Sequence, residues 1–207
     1  PPNTPRVIYV GEISGPKPFD KGKARASKDE QNKLRRPYDA AVDPWGRLHV
    51  TDARAAAVYR WDFNKKQFAI IGKDSNKLKF PAFMAIDGDG SVYVSDLITK
   101  EIVVFDKDGR YIFSINQEGP LEKPSGLAID RENKRLIVSD MPRHQVHIMD
   151  LNGKILRSLG TYRKDQKAGS SEPGEFYWPG FVAVDKVGKI YVSDYLNFRI
   201  QVFSPQG

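Results

Sequence analysis

Four short segments of the chain run through the same order of apolar, small and acidic residues. PYDAAVD (37–43) is followed by LHVTD (48–52), and PAFMAID (81–87) by VYVSD (92–96). PSGLAID (124–130) is followed by LIVSD (136–140), and PGFVAVD (179–185) by IYVSD (190–194). In every copy the first aspartate lies 6 positions after the proline, and the second aspartate follows 9, 9, 10 and 9 positions later. The third copy holds one extra turn residue near Asn133. Six positions beyond the second aspartate stands a β-branched residue each time: Val58, Ile102, Val146 and Ile200. Four copies held to one register define a repeat, and a repeat organises the reading of everything else.

Each copy predicts strands. The apolar runs are short and rich in Val, Ile and Tyr, and turn residues punctuate them. DPWG (43–46), DGDG (87–90) and DKVG (185–188) read as tight hairpin turns closed by glycine. A third strand follows, as in IVVF (102–105) and VHIM (146–149). A second turn, DKDG (106–109) or DLNG (150–153), leads to a fourth strand such as RYIFSI (110–115) or KILRSL (154–159). Four antiparallel strands per unit, with intervals of 44, 43 and 55 residues between prolines, predict an all-β fold, a β-propeller of four-stranded blades. Alanine in the middle of AAV (40–42), MAI (84–86), LAI (127–129) and VAV (182–184) predicts that each first strand is buried near the axis.

The blades divide one propeller domain into residues 37–80, 81–123, 124–178 and 179–207. The long third interval carries a polar, glycine-rich insertion at 161–178. The fourth copy supplies three strands only. Residues 1–36 precede the repeats as a tether, an orphan apolar strand at 6–13 and a basic loop at 17–36. The expected architecture is an arc of a six-bladed ring, with the orphan strand completing a blade outside these repeats. Direct closure into four blades, by pairing of 6–13 with the last repeat, and pairing of the open edges with another chain are the alternatives.

Composition narrows the chemistry. The 207 residues contain no cysteine, which excludes disulfides, thiolate metal sites and cysteine nucleophiles. No apolar run reaches the ~20 residues of a membrane-spanning helix. The formal net charge of +7 favours anionic partners. The loop at 17–36 concentrates this charge in Lys17, Lys21, Lys23, Arg25, Lys28, Lys33, Arg35 and Arg36, against only Asp20, Asp29 and Glu30. It reads either as a solvated loop or as an electrostatic contact with an acidic partner.

Catalytic chemistry finds little support. His144 and His147 are three positions apart, which on an extended strand points them to opposite faces. His49 is the one other histidine. DGDGS (87–91) opens like a calcium loop, but its twelfth position is Ile98 rather than glutamate. The expectation is no catalytic residue, no cofactor and no metal. The second-strand aspartates Asp52, Asp96, Asp140 and Asp194 are expected to accept backbone N–H groups and fix each blade. The loops entering the first strand and leaving the second carry Tyr38, Arg54, Phe83, Thr99, Arg143, Phe181, Tyr195 and Asn197. Aromatic and arginine side chains are what interaction surfaces favour, so these are the candidate partner-binding residues.

These patterns resemble the NHL repeat: a proline-led first strand, V-[ST]-D closing the second, and N-x-R-[IV] opening the third. VSD (192–194) with NFRI (197–200) matches best, and the other three copies keep the V-[ST]-D without the Asn and Arg. The resemblance covers residues 37 to 207. It implies a binding propeller, non-catalytic and acting as a protein scaffold. It also leaves open single-stranded RNA binding on a basic face and a metal-dependent hydrolase or lyase. The opening residues, through PRVIYVGEISGP (5–16), are similar to mature bacterial propeller lipoproteins. That likeness implies an extracytoplasmic place, periplasm or cell surface, and a membrane link through a lipid anchor absent from the sequence. It further implies another protein as partner, acidic or envelope-associated, with multihaem cytochrome assemblies among such partners.

Overall fold

The computed structural model describes residues 12–13, 34–72, 75–116, 119–162 and 170–207. The predicted strand at 6–13, apart from Glu12 and Ile13, and the basic loop at 17–36, apart from residues 34–36, therefore lie outside the described residues. Fifteen strands are described, in four antiparallel sheets.

The first blade is β1 (Pro37–Val42), β2 (Leu48–Asp52), β3 (Ala57–Asp62) and β4 (Gln67–Ile71). The second is β5 (Pro81–Ile86), β6 (Val92–Asp96), β7 (Glu101–Phe105) and β8 (Tyr111–Ile115). The third is β9 (Pro124–Asp130), β10 (Arg135–Asp140), β11 (Gln145–Asp150) and β12 (Ile155–Leu159). The fourth holds β13 (Pro179–Val184), β14 (Ile190–Asp194) and β15 (Arg199–Phe203). Strands within each sheet neighbour one another in sequence order. Such meanders follow from the short turns, because connections of four or five residues join antiparallel neighbours, whereas parallel strands need a crossover of about a dozen residues or more.

The inner strands set the blades around an axis: β1 packs on β5, β5 on β9, and β9 on β13. Period-two alternation sends one set of side chains to each neighbouring blade. In the second blade, Met84, Ile86, Val92, Val94, Val103 and Phe105 pack toward the first, with Val58 and Ile71. The alternate set, Ala85, Tyr93, Ile102, Val104 and Ile115, packs toward the third, with Leu127, Leu136, Val138 and Met149. A third cluster joins Ile137, Val146 and Ile148 to Ile190 and Val192 across the next junction. The core therefore lies between sheets, and the fold is a β-propeller arc.

Close approach near the axis uses glycine. A side chain at Gly126 would strike the Gly180 carbonyl and the Phe181 backbone of the next blade. Hydroxyls add links between inner strands: Thr51 Oγ1 donates to the Ala82 carbonyl at 2.6 Å, and Ser139 Oγ to the Gly180 carbonyl.

The expectation that every first strand is buried needs correction. Met84, Ala85 and Ile86 are buried and the third blade's strand is largely so, but Ala40 and Val42 are exposed and Ala183 is exposed. Among the described residues the first and fourth blades each have a blade neighbour on one side only, so alanine in the middle of the strand does not by itself guarantee cover.

Candidate interaction face

Each blade pairs the proline that opens its first strand with the aspartate that ends its second: Pro37 with Asp52, Pro81 with Asp96, Pro124 with Asp140, and Pro179 with Asp194. This register brings the entering loop and the leaving loop to one side of the propeller. All four carboxylates are fully buried. Asp52 accepts the backbone N–H groups of Arg35 (2.6 Å) and Arg36 (3.1 Å) from the entering loop and of Arg54 and Ala55 from the leaving loop. Asp96 does the same for Lys79 (2.6 Å), Phe80 (2.7 Å), Ile98 and Thr99. Asp140 accepts Glu122 and Lys123 N–H. Burial raises the Asp140 carboxyl above its ordinary range, against the pull of those two backbone bonds. Asp194 takes Tyr177 N–H, and also the side chains of Asn197, Arg199 and Gln201. The Asn and Arg of the fourth copy's N-x-R motif thus serve the same acid. Charged acceptors of this kind hold both loops in place.

Of the rings expected on loops, Tyr38, Phe83 and Phe181 instead stand on the opening residues of β1, β5 and β13, where the inner strands run close together, and only Phe80 belongs to an entering loop. Tyr38 meets Phe80 and Phe83 edge-on at 5.6 and 6.0 Å between centroids. Phe83 meets Phe181 of the fourth blade at 5.2 Å, perpendicular. The Arg36 guanidinium lies 5.0 Å from the Phe80 ring centre and 5.7 Å from that of Tyr38. Phe181 is 65% exposed and Tyr38 43%, so the cluster is anchored below and open above. Further cations lie elsewhere on these blades. Arg35 and Lys79 line a concavity of about 460 Å³ beside the first two blades, together with Tyr59, Asn76, Ile70 and Leu78. Arg143 stacks on Tyr162 at 4.2 Å.

Of the residues singled out in sequence, Tyr38, Phe83 and Phe181 come together. Tyr195 and Arg54 are exposed separately on their own loops. Three sit otherwise than expected for surface contacts. Phe83 is buried as the cluster's base. Thr99 has a buried hydroxyl with no partner among the described residues. The Asn197 amide is held by Asp194 and by the Ser170 N–H. Phe80 and Asp39 were missed. Phe80 occupies the position before the repeat proline, as Arg36, Lys123 and Trp178 do in the other copies, and comparing that column would have found it. Among the described residues no three His, Asp or Glu side chains converge as a metal site would need. His144 instead stacks on Tyr177 and accepts the Trp178 N–H at Nδ1. His147 Nδ1 pairs with Ser158.

The blades, their junctions and the axial loops define the class: a β-propeller. Residues 71–159 match a family described as a 6-bladed beta-propeller, and residues 176–203 match the NHL repeat. Over those stretches the chain is similar to six-bladed and NHL-repeat propellers. NHL repeat-containing protein 2 of Gallus gallus is 32% identical over 82 residues, which is 40% of this chain and 11% of that protein. Among solved structures, a streptogramin B lyase superposes with a TM-score of 0.65 at 13% identity, over 83% of this chain and 52% of that one. Hydrazine synthase of Kuenenia stuttgartiensis gives 0.57 at 18% identity, covering 88% and 53%. An auxiliary nutrient binding protein from Bacteroides thetaiotaomicron gives 0.59 at 15%, covering 79% and 46%. The chain spans about half of each of these structures and a tenth of the curated relative. At such identities the structural likeness speaks to the fold alone.

Proposed function

We propose that this chain is a non-catalytic, protein-binding part of an extracytoplasmic assembly, and that its partner presents acidic side chains to the face built on Tyr38, Phe83 and Phe181. The observation that carries the reading is the aromatic cluster spanning the first, second and fourth blades with Arg36 stacked on its rim. Rigid rings and arginine give large contact area at small entropic cost, which is the chemistry of interface hot spots. The cations of Arg35 and Lys79 and the chain's net charge of +7 favour an acidic counterpart. An envelope partner, multihaem cytochrome assemblies included, meets that description.

The deciding experiment is quantitative crosslinking and pulldown from the native envelope, with the wild type beside Arg36→Glu and Phe181→Ala. A stoichiometric protein partner lost from both variants is expected. No partner enriched over the variants would overturn the reading. Arg36 over Tyr38 also suits base stacking, so single-stranded RNA is the second reading. Its signature is affinity that falls steeply with salt. Binding to mixed RNA that Phe181→Ala abolishes would decide for RNA.

A further inference from the structure

Small residues open a hollow in the first blade where the other blades place longer side chains. The turn between its second and third strands ends in Ala55-Ala56-Ala57, where the second blade has Thr99-Lys100-Glu101 and the third Arg143-His144-Gln145. At the Ala57 position, Gln145 of the third blade donates to the Gly160 carbonyl at 3.2 Å. Arg199 of the fourth donates to the carbonyls of Ser171, Glu172 and Glu175. At the Gly72 position the second blade carries Asn116, whose amide donates to the Lys100 and Leu121 carbonyls, both at 2.8 Å. Alanine and glycine make no such bonds, and the space remains as the concavity of about 460 Å³. Pockets for small ligands run from roughly 300 to 1,000 Å³.

The lining has two kinds of surface. Ile70, Leu78 and the three alanines are apolar, while Arg35, Lys79, Asn76 and Tyr59 bring polar groups. No acid lines the hollow among the described residues. Arg35 and Lys79 use their backbone N–H groups on Asp52 and Asp96, and their charged ends have no ion-pair partner among the described residues. The Asn76 amide and the Tyr59 hydroxyl likewise have no partner there. Tyr59 is 6% exposed, so its unpaired hydroxyl is a buried donor. Burial raises its pKa, Asp52 adds to the rise and the Arg35 charge opposes it, so the hydroxyl keeps its proton at neutral pH. Asp52 itself is engaged by four backbone donors. Arg35 and Lys79 share one repeat position, two before the proline, where the third and fourth blades carry Glu122 and Tyr177. Among the described blades, the first junction alone therefore has a cation at that position on both sides.

We propose that this hollow binds a small carboxylic acid with an apolar body, the carboxylate held by Arg35 and Lys79 and the body lying against Ile70, Leu78 and Ala57. Charge-assisted bonds to the carboxylate satisfy donors that a neutral apolar ligand would leave unpaired. A cationic ligand would face two like charges. The inference does not rest on the partner reading. The rings that would seat a protein stand on inner strands, whereas this hollow is built on the turn before β3, on β3 and β4, and on the linkers beside them.

The test titrates the isotopically labelled full chain with phenylacetate and, separately, with its uncharged amide, following the backbone amide signals of Ala57, Gly72 and Asn76. Saturable shifts with phenylacetate are expected, with affinity roughly tenfold or more above that for phenylacetamide. Lys79→Gln should weaken phenylacetate by about tenfold, since one charged donor is lost. Ala57→Gln, which carries the third blade's side chain into the hollow, should abolish saturation. Should Ala57→Gln fail to fold, Arg35→Gln on the exposed entering loop takes its place, with the same expected weakening as Lys79→Gln. Equal affinity for acid and amide, or unchanged affinity in Lys79→Gln, would overturn the inference. So would the absence of saturable shifts with phenylacetate. If that absence came with partner capture lost in Lys79→Gln, the hollow would belong to acidic side chains of the protein partner instead.

Discussion

Asp39 of the first blade accepts a hydrogen bond from the backbone N–H of Met84 in the second, at 2.9 Å, while its other oxygen takes the N–H of Ala40. The link joins two inner strands where they run side by side. Burial raises the Asp39 pKa, against the pull of those two bonds. A raised carboxyl disfavours ionisation, so its effect on stability worsens as pH rises through the folded-state value. Asp39→Asn keeps an acceptor and removes the charge. It should melt no lower than wild type at pH 7, whereas Asp39→Ala should cost about 1–3 kcal/mol by stranding donors. Urea melts of both variants at pH 5 and pH 7 check this. Loss of stability in the asparagine variant equal to that in alanine would refute it.

Asp96 collects four backbone donors, so its removal falls on both loops of the second blade at once. Asp96→Ala should destabilise the fold by about 1–3 kcal/mol, with more if the loops cannot find water. Thermal melting together with partner binding separates two roles. A lower melting temperature with binding retained in the folded fraction is expected of a structural acid. An unchanged melting temperature with lost binding would make the aspartate ring a ligand site.

The repeat spacing made the blades legible because each strand end is fixed by a residue with a single backbone role. Proline opens the first strand, aspartate closes the second, and glycine makes the turn. Those roles are local, and sequence records them. Burial of the inner strands was not legible for Ala40 and Val42, since cover depends on which blade stands alongside and not on the strand's own residues. The aromatic cluster was half legible. Tyr38 and Phe181 sit one and two places after the repeat proline, at the start of first strands that the repeat identifies, but their meeting through Phe83 arises from the curvature of the arc. Asp39 escaped because it follows Tyr38 at a position where the other copies carry Phe83, Gly126 and Phe181, and no column pattern announces a lone acid.

Two buried histidines set an acid limit. Burial drives both His49 and His147 down to about 4. An unfolded histidine titrates near ~6.5, so between that value and 4 the unfolded chain binds the extra proton and stability falls as pH falls. Burial would raise Asp43, the partner of His49 at 3.0 Å, but its bonds from His49, Arg47 and Trp45 hold it low. Its contribution is therefore lost only at still lower pH. Each histidine accounts for up to about 3 kcal/mol across that window. Melting from pH 7 to pH 4 should show a steep decline that His147→Gln makes shallower. A flat profile over that range would contradict the burial of both rings.

Gly126 offers the sharpest test of the blade spacing. It needs no unusual backbone angle, so a substitution there probes space alone. A methyl at this position would run into the Gly180 carbonyl and the Phe181 backbone, which are main-chain atoms of the next blade's inner strand. Backbone cannot swing aside as a side chain does, so the third and fourth blades must part. Phe181 would move with them and draw away from Phe83, whose ring it meets at 5.2 Å. Gly126→Ala should therefore cost about 1–3 kcal/mol of stability and also weaken partner binding, although no contact residue is changed. Gly46→Ala is the control, since a methyl there meets nothing and only its positive φ of 78° is strained. It should lose stability through that strain and keep its partner affinity. Equal partner affinity in both variants would show that the junction at Gly126 does not set the geometry of the aromatic face.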